Sequence, residues 1–235
     1  MASTKDTQAA SRRDSAQDTR NEEDISWQAQ KSAMTRDRIL DAAINCFIEL
    51  GYTNVTTAKV ASAAGVSRGA MLHHFPSKTE LIQAAVEYLH GKLLEDYTDR
   101  VSSIPATLKG AKRRRAGLEA YWDYLTGDLF VVHHELVVAS RTDPELRTIL
   151  ESSQKLFEQH VRESNEQLFA EWTDRGDRFL LAMDVTKFMM EGLAAGQLAI
   201  NRDERISRLK NYLADRLEEI FEDEDSSAIG RHSMS

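Results

Sequence analysis

The sequence predicts an all-α protein, with a small N-terminal helical module followed by a larger helical domain. Only 3 prolines and 11 glycines punctuate the 235 residues, which leaves long uninterrupted stretches. Within those stretches apolar residues recur every three or four positions, the helical period, and not at every second position as in a half-buried strand. Hydrophobic residues make up 41% and charged residues 29%, the balance of a globular chain with a real core.

Composition also narrows the function classes. No apolar run approaches the roughly 18 residues of a membrane span, and the polar N-terminus lacks the apolar core of a secretory signal. A soluble, cytoplasmic protein is expected. The single cysteine, Cys46, excludes an internal disulfide framework and a Cys-based zinc site, and fits a reducing compartment. Net charge is −8, but it is unevenly placed. Between Lys31 and Lys78 six basic residues (Lys31, Arg36, Arg38, Lys59, Arg68, Lys78) face three acids (Asp37, Asp41, Glu49), so the segment is +3 and the remainder −11. A basic module on an acidic body is the arrangement expected when one part alone meets a polyanion.

The elements follow in order. Residues 1–31 are rich in Ser, Thr, Asp, Gln and Arg and read as a disordered tail. Thr35 is a candidate N-cap for a helix whose stripe is Ile39, Ala42, Ala43, Cys46, Phe47 and Leu50, with Gly51 closing it. Cys46, on that stripe, reads as a buried inert thiol. Thr56 is the expected N-cap of a second helix carrying Val60, Ala61 and Ala64, and Gly65 ends it. Lys59 stands in the first turn, where the helix dipole disfavours a cation, and reads as a surface lysine or a phosphate contact.

Residues 65–69, Gly-Val-Ser-Arg-Gly, fit the serine-hydrolase pattern G-x-S-x-G letter for letter. That pattern carries chemistry only on a strained strand-to-helix turn. Here an alanine-rich helix precedes Gly65, so Ser67 reads as the cap of a third, short helix ending at Pro76, and no catalytic residue is assigned. A fourth helix opens at Ser77 or Lys78. Two short helices joined by Ala-Ala-Gly-Val-Ser make a helix-turn-helix, with glycine at the positive-φ position and Val66 turned toward the core.

The third helix then presents Arg68, Gly69, Ala70 and His73 at its N-terminal outward side, where such motifs meet base edges. Arg68 can donate two hydrogen bonds to guanine O6 and N7. Gly69 allows close backbone approach, and Thr56, Ser67 and Lys78 suit phosphates, which position without specifying. His73 and His74 point about 100° apart on a helix and cannot readily share a metal ion.

These residues carry a resemblance. R-x-x-I-L-x-A-A from Arg36, F-x-x-x-G-Y from Phe47, V-A-x-A-A-G-V-S from Val60 and H-F-x-S-K-x-x-L from His74 are similar to the N-terminal domain of the TetR family of transcriptional regulators. The resemblance implies an all-α homodimer, double-stranded DNA with a palindromic operator as partner, and a small effector bound by a variable C-terminal domain. By position it places Thr56 and Thr57 at a DNA contact, Arg68, Gly69 and His73 on the base-reading face, and His74 and Lys78 at phosphates. The family usually has tyrosine where this chain has Leu72, and His73 is the candidate substitute. The domains expected are a tail at 1–31, a helix-turn-helix domain at 32–92, an effector-binding and dimerisation domain at 93–222 and a second tail at 223–235.

The C-terminal body is read from periodicity. Leu118, Trp122, Leu125, Leu129, Val132, Leu136 and Ala139 predict one long amphipathic helix, preceded by a solvated basic run at 112–115. Pro144 starts another, reaching Trp172. Residues 177–200 and 204–222 complete the domain, with Gly192, Ala194, Ala195 and Gly196 permitting close helix approach. The resemblance makes these last two helices the dimer elements.

More bulky side chains fall between 116 and 200 than one buried face per helix requires. Tyr121, Trp122, Phe130, Phe157, Phe188 and Met189 are the candidate lining of an effector pocket, with Phe169, Trp172 and Met190 in the same group. His133, His134 and Gln197 are candidates to orient a polar end of a mainly apolar or aromatic effector. His-His-Glu at 133–135 is not the H-E-x-x-H metal pattern, and neither metal nor cofactor is expected. The competing readings are an all-α small-molecule binding protein with a vestigial DNA-binding head and, behind it, a hydrolase.

Overall fold

Among the described residues every element is a helix. The structure, a computed structural model, describes the backbone of residues 4–168, 176–198 and 203–222, and side chains over 27–167, 176–198 and 203–220. Phe169 and Trp172, and the expected tail at 223–235, lie outside the described residues. The all-α class expected from the periodicity is the class found.

The chain divides after Ala85 into two compact units. The first opens with α1 (Thr4–Leu50), a 3₁₀ turn (Tyr52–Asn54), α2 (Thr57–Ala63) and α3 (Arg68–His74). α4 (Lys78–Ser102) begins in this unit and ends in the second. α1 packs on α2, and α2 on α3. Ile39, Ala43, Phe47, Val60, Met71, Phe75 and Leu81 fill the core between them. The Cys46 thiol is buried there, and burial pushes its pKa up, which keeps it protonated and unreactive.

The first helix departs from expectation. α1 starts at Thr4, upstream of Thr35, and Thr35 is not an N-cap. Its hydroxyl instead donates to the Lys31 carbonyl at 2.9 Å, one turn back, the bond a threonine makes inside a helix. Residues 4–50 contain neither proline nor glycine, so nothing in the chain stops propagation at a polar composition. Leu50, in the last turn, is exposed although it sits in register with the stripe.

The second unit adds α5 (Gly110–Leu125), α6 (Asp128–Ala139), α7 (Pro144–Leu168), α8 (Asp177–Gln197) and α9 (Asp203–Glu222). The single helix expected from Leu118 to Ala139 is two. Gly127 takes extended backbone (φ −74°, ψ 151°), and the Thr126 hydroxyl closes α5 on the Trp122 carbonyl at 2.9 Å. A Cβ at Gly127 would come within 3.3 Å of the Tyr124 carbonyl, so a glycine fits this break. The apolar period continues across it because α6 packs on α5 and also on α7, and periodicity cannot see an interruption that preserves phase. α5, α8 and α9 pack mutually. Arg115 of the basic run is held by Asp215 at 2.7 Å and Glu218 at 3.4 Å on α9. Pro144 opens α7, as expected, and Asp143 caps it through the Leu146 amide at 3.0 Å.

Candidate DNA interface and effector cavity

The turn between α2 and α3 is built by backbone bonds that only a left-handed residue permits. Gly65 sits at φ 63°, its amide donates to the Ser62 carbonyl at 3.1 Å, and the Val66 amide donates to the Ala61 carbonyl at 3.0 Å. This pair of bonds is the Schellman closure of a helix, with Val66 at the position that folds back toward the helix it leaves. Val66 is half-buried, in keeping with its expected inward turn.

Each helix of the motif has a side-chain cap. Thr56 accepts from the Lys59 amide at 3.3 Å and Ser67 from the Ala70 amide at 3.1 Å, as the sequence predicts. Ser77 accepts from the Glu80 amide at 3.1 Å and begins α4. With its oxygen committed as a cap on an all-helical scaffold, Ser67 has no nucleophile-elbow geometry. Ser67→Ala should lower unfolding stability by about 1 kcal/mol in denaturant titration. Ester turnover lost in that variant would contradict the cap assignment.

Thr56, Ser67, Arg68, Gly69, His73 and Lys78 are exposed, and Thr57 and His74 half-buried. Arg68 is the first residue of α3, and no hydrogen-bond or ion-pair partner holds it among the described residues. A Cβ at Gly69 would meet only Ser67 Oγ at 3.8 Å, so the chain's own packing does not demand glycine there. Leu72 is exposed beside them, a position no internal contact explains. Lys59, by contrast, is engaged locally, its Nζ donating to the Asn54 carbonyl at 2.9 Å. Lys78 Nζ lies 5.9 Å from the Tyr52 ring centroid, and Arg36 5.2 Å from that of Phe75. The rings of His73 and His74 meet edge-on at 5.4 Å. Burial first, then the charges of His73 and Arg36, push the His74 pKa down, so it can donate a neutral hydrogen bond.

The second unit contains a cavity of about 580 Å³. Ring contacts form one wall without a break. Tyr97 meets Tyr124 at 5.4 Å, Tyr124 meets Phe130 at 5.3 Å, Phe130 meets His133 at 5.9 Å, and His133 meets Phe157 at 5.8 Å. Tyr121 stacks on Tyr124 at 5.9 Å, and His90 stacks behind the wall on Phe157 at 4.5 Å. The Tyr97 hydroxyl donates to Asn165 Oδ1 at 2.6 Å, and the Tyr121 hydroxyl to Glu191, whose carboxylate also holds Lys187 at 2.6 Å. Burial pushes all three tyrosine pKa values up, keeping the wall neutral. Burial likewise pushes His90 down to about 4 and His133 to about 3.

Of the candidate lining residues, Tyr121, Phe130, His133, Phe157 and Phe188 stand on this cavity. Trp122, His134 and Met189 do not. Each is the chain neighbour of a residue that does, and the 100° step of a helix turns it away. Trp122 lies under Lys210, whose Nζ is 5.2 Å from its ring centroid. His134 and Gln197 line a separate recess of about 160 Å³ with Phe130, Leu125 and Val131. Met189 is half-buried in neither, and Met190, fully buried, is core.

Tyr97, Tyr124, Gln154 and Asn165 also line the cavity, beyond the residues the sequence predicts. Asn165 carried a readable signal. It continues the four-residue spacing of Phe157 and Val161, a polar side chain in an apolar register.

Comparison with known proteins settles the class. Residues 39–85 match the family described as bacterial regulatory proteins, tetR family. The matched segment is a TetR-family domain, and the chain's relatives are transcriptional regulators of that family. The chain is 29% identical over 187 residues to the HTH-type transcriptional regulator CymR of Pseudomonas putida, spanning 78% of this chain and 89% of that one. It is also 29% identical over 134 residues to the HTH-type transcriptional repressor AcnR of Corynebacterium efficiens, spanning 56% of this chain and 64% of that relative. The crystal structure of a TetR-family regulator from Mesorhizobium loti superposes with a TM-score of 0.60 at 17% identity, over 80% of this chain and 94% of that one. The likeness in fold therefore extends beyond the matched head. Among the described residues no helix is long and apolar enough to cross a membrane.

Proposed function

We propose that the chain is a cytoplasmic repressor that binds a palindromic operator as a homodimer and releases it when a mainly apolar or aromatic effector occupies the cavity of the second unit. The observation that carries the reading is an exposed, unheld Arg68 opening the second helix of a helix-turn-helix, in a chain that also encloses a ring-lined cavity. Arg68, Gly69 and His73 read bases. Thr56, Thr57, Ser67, His74 and Lys78 hold phosphates. The cavity falls in the size range of ligand sites, which is roughly 300–1,000 Å³. For release, the effector must prefer the conformation that does not bind DNA, since affinity without preference shifts nothing.

The test is selection of genomic fragments by the purified protein, followed by titration of the recovered operator and of random DNA at two salt concentrations. Arg68→Ala should weaken operator binding by about 1–3 kcal/mol and leave random DNA almost unaffected. Lys78→Ala should weaken both alike and reduce the salt slope by about one. Equal losses on both DNAs for Arg68→Ala would reassign it to a phosphate. If no fragment is selected while small molecules still stabilise the protein, it is a binding protein with a vestigial head.

A further inference from the structure

The geometry points to a ligand class for the cavity: an aromatic molecule of two or three fused rings whose buried end is uncharged and carries a hydroxyl, as in a phenol. This rests on the reading above that the cavity is an effector site. Three observations converge on it.

The first is shape. A cavity of about 150 Å³ holds one benzene ring, so about 580 Å³ flanked by a continuous ring wall has room for a larger flat molecule.

The second is two buried hydrogen-bonding atoms on wall residues, each without a partner. His133 is 7% exposed and on the cavity wall, and its Nδ1 has no partner. Gln154 Oε1, also on the wall, is buried without a partner, while the Nε2 of the same amide donates to Glu158 Oε1 at 3.0 Å and fixes its orientation. Gln154 lies one helical turn before Phe157, the ring that meets His133. The deep polar pair Tyr97 and Asn165, by contrast, satisfies itself. A buried polar atom left alone carries a desolvation penalty that a matching ligand removes.

The third is polarity. A glutamine oxygen only accepts, and a neutral imidazole nitrogen accepts or donates according to tautomer. A hydroxyl satisfies both partners, donating to Gln154 while accepting from His133. A carboxylate, which only accepts, would set its charge against the Gln154 oxygen. An unsubstituted ring satisfies neither. The charges that line the cavity and are exposed, Glu158, Arg162, Glu166, Asp184 and Lys187, belong to its solvent side. Arg114, the half-buried cation on the wall, is already engaged within the chain.

The experiment is calorimetric titration of the full chain with 2-naphthol, naphthalene and 2-naphthoate near neutral pH. 2-Naphthol should bind at least about tenfold more tightly than either of the others, the value of a satisfied hydrogen bond. His133→Phe, which keeps the ring and removes the nitrogens, and Gln154→Met should each erase most of the advantage of 2-naphthol over naphthalene measured on the same variant. Tightest binding of 2-naphthoate would overturn the proposal in favour of anchoring by Arg114. An advantage that survives both substitutions, or no binding by any of the three, would overturn it too. The wild-type ranking needs no variant to fold. Operator release is measured with the same probes: 2-naphthol that binds as expected without altering DNA affinity sinks the regulatory reading alone, and release by 2-naphthoate sinks the ligand class alone.

Discussion

Lowering the pH from about 7.5 to about 5 should destabilise the protein by roughly 4 kcal/mol through two histidines alone. His90 and His133 meet edge-on at 5.2 Å, both are buried, and each has a ring nitrogen without a partner. Charging either ring would strand a cation in a wall of hydrocarbon, so burial holds the folded pKa values at about 4 and about 3, below the ordinary 6.5. The unfolded chain takes up protons at its ordinary value and the folded chain refuses them. Stability is therefore complete above 6.5 and lost as pH falls toward 4, at up to about 1.4 kcal/mol per pH unit for each ring. Denaturant titrations across this range read the effect directly. His90→Phe and His133→Phe should each flatten the slope by one proton. Carboxylates that titrate at lower pH leave their contribution unchanged in the variants. A slope identical in wild type and both variants would mean that the rings are charged or solvated in the folded protein.

What could be read in advance depended on whether the cause was local. The caps at Thr56 and Ser67 and the left-handed Gly65 follow from side-chain oxygens and a missing Cβ acting within a few residues, and all three stand where the sequence puts them. The Thr35 cap failed because a threonine hydroxyl is equally served by the carbonyl one turn back once the helix continues upstream, and composition alone cannot say which bond forms. The break at Gly127 was hidden by an apolar phase that continues across it. Within the cavity, periodicity located the right turns of the right helices but not the azimuth. Tyr121 was accompanied by Trp122, His133 by His134 and Phe188 by Met189, and one 100° step separates wall from elsewhere in each pair. Tyr97 was out of reach for another reason. It completes an ordinary apolar stripe with Leu89 and Leu93, and only its bond to Asn165, 68 positions away, marks it as more than core.

Gly192→Glu should give a monomer that keeps its fold and loses operator affinity by at least about 100-fold, because linking two half-site contacts in one dimer raises affinity by 10²–10⁴. On α8, Leu181, Val185, Phe188 and Gly192 recur at spacings of four, three and four and share one face. Three large apolar side chains on that face are exposed in the single chain, Leu181 at 54%, Val185 at 37% and Phe188 at 68%. A row of this kind on a folded protein marks an association surface. A Cβ added at Gly192 or Gly196 meets nothing within 4 Å, so the protomer itself leaves the space open. Replacing a mid-helix glycine gains up to about 1 kcal/mol of helix propensity, which argues that the protomer will not unfold. What a glutamate does introduce is a charge that a second copy would have to desolvate at the centre of the contact. Val185→Glu tests the same face without touching a glycine. Sedimentation gives the oligomeric state, circular dichroism confirms the fold, and operator titration gives the functional loss. Dimers with wild-type operator affinity in both variants would show that this face of α8 is not where two copies meet.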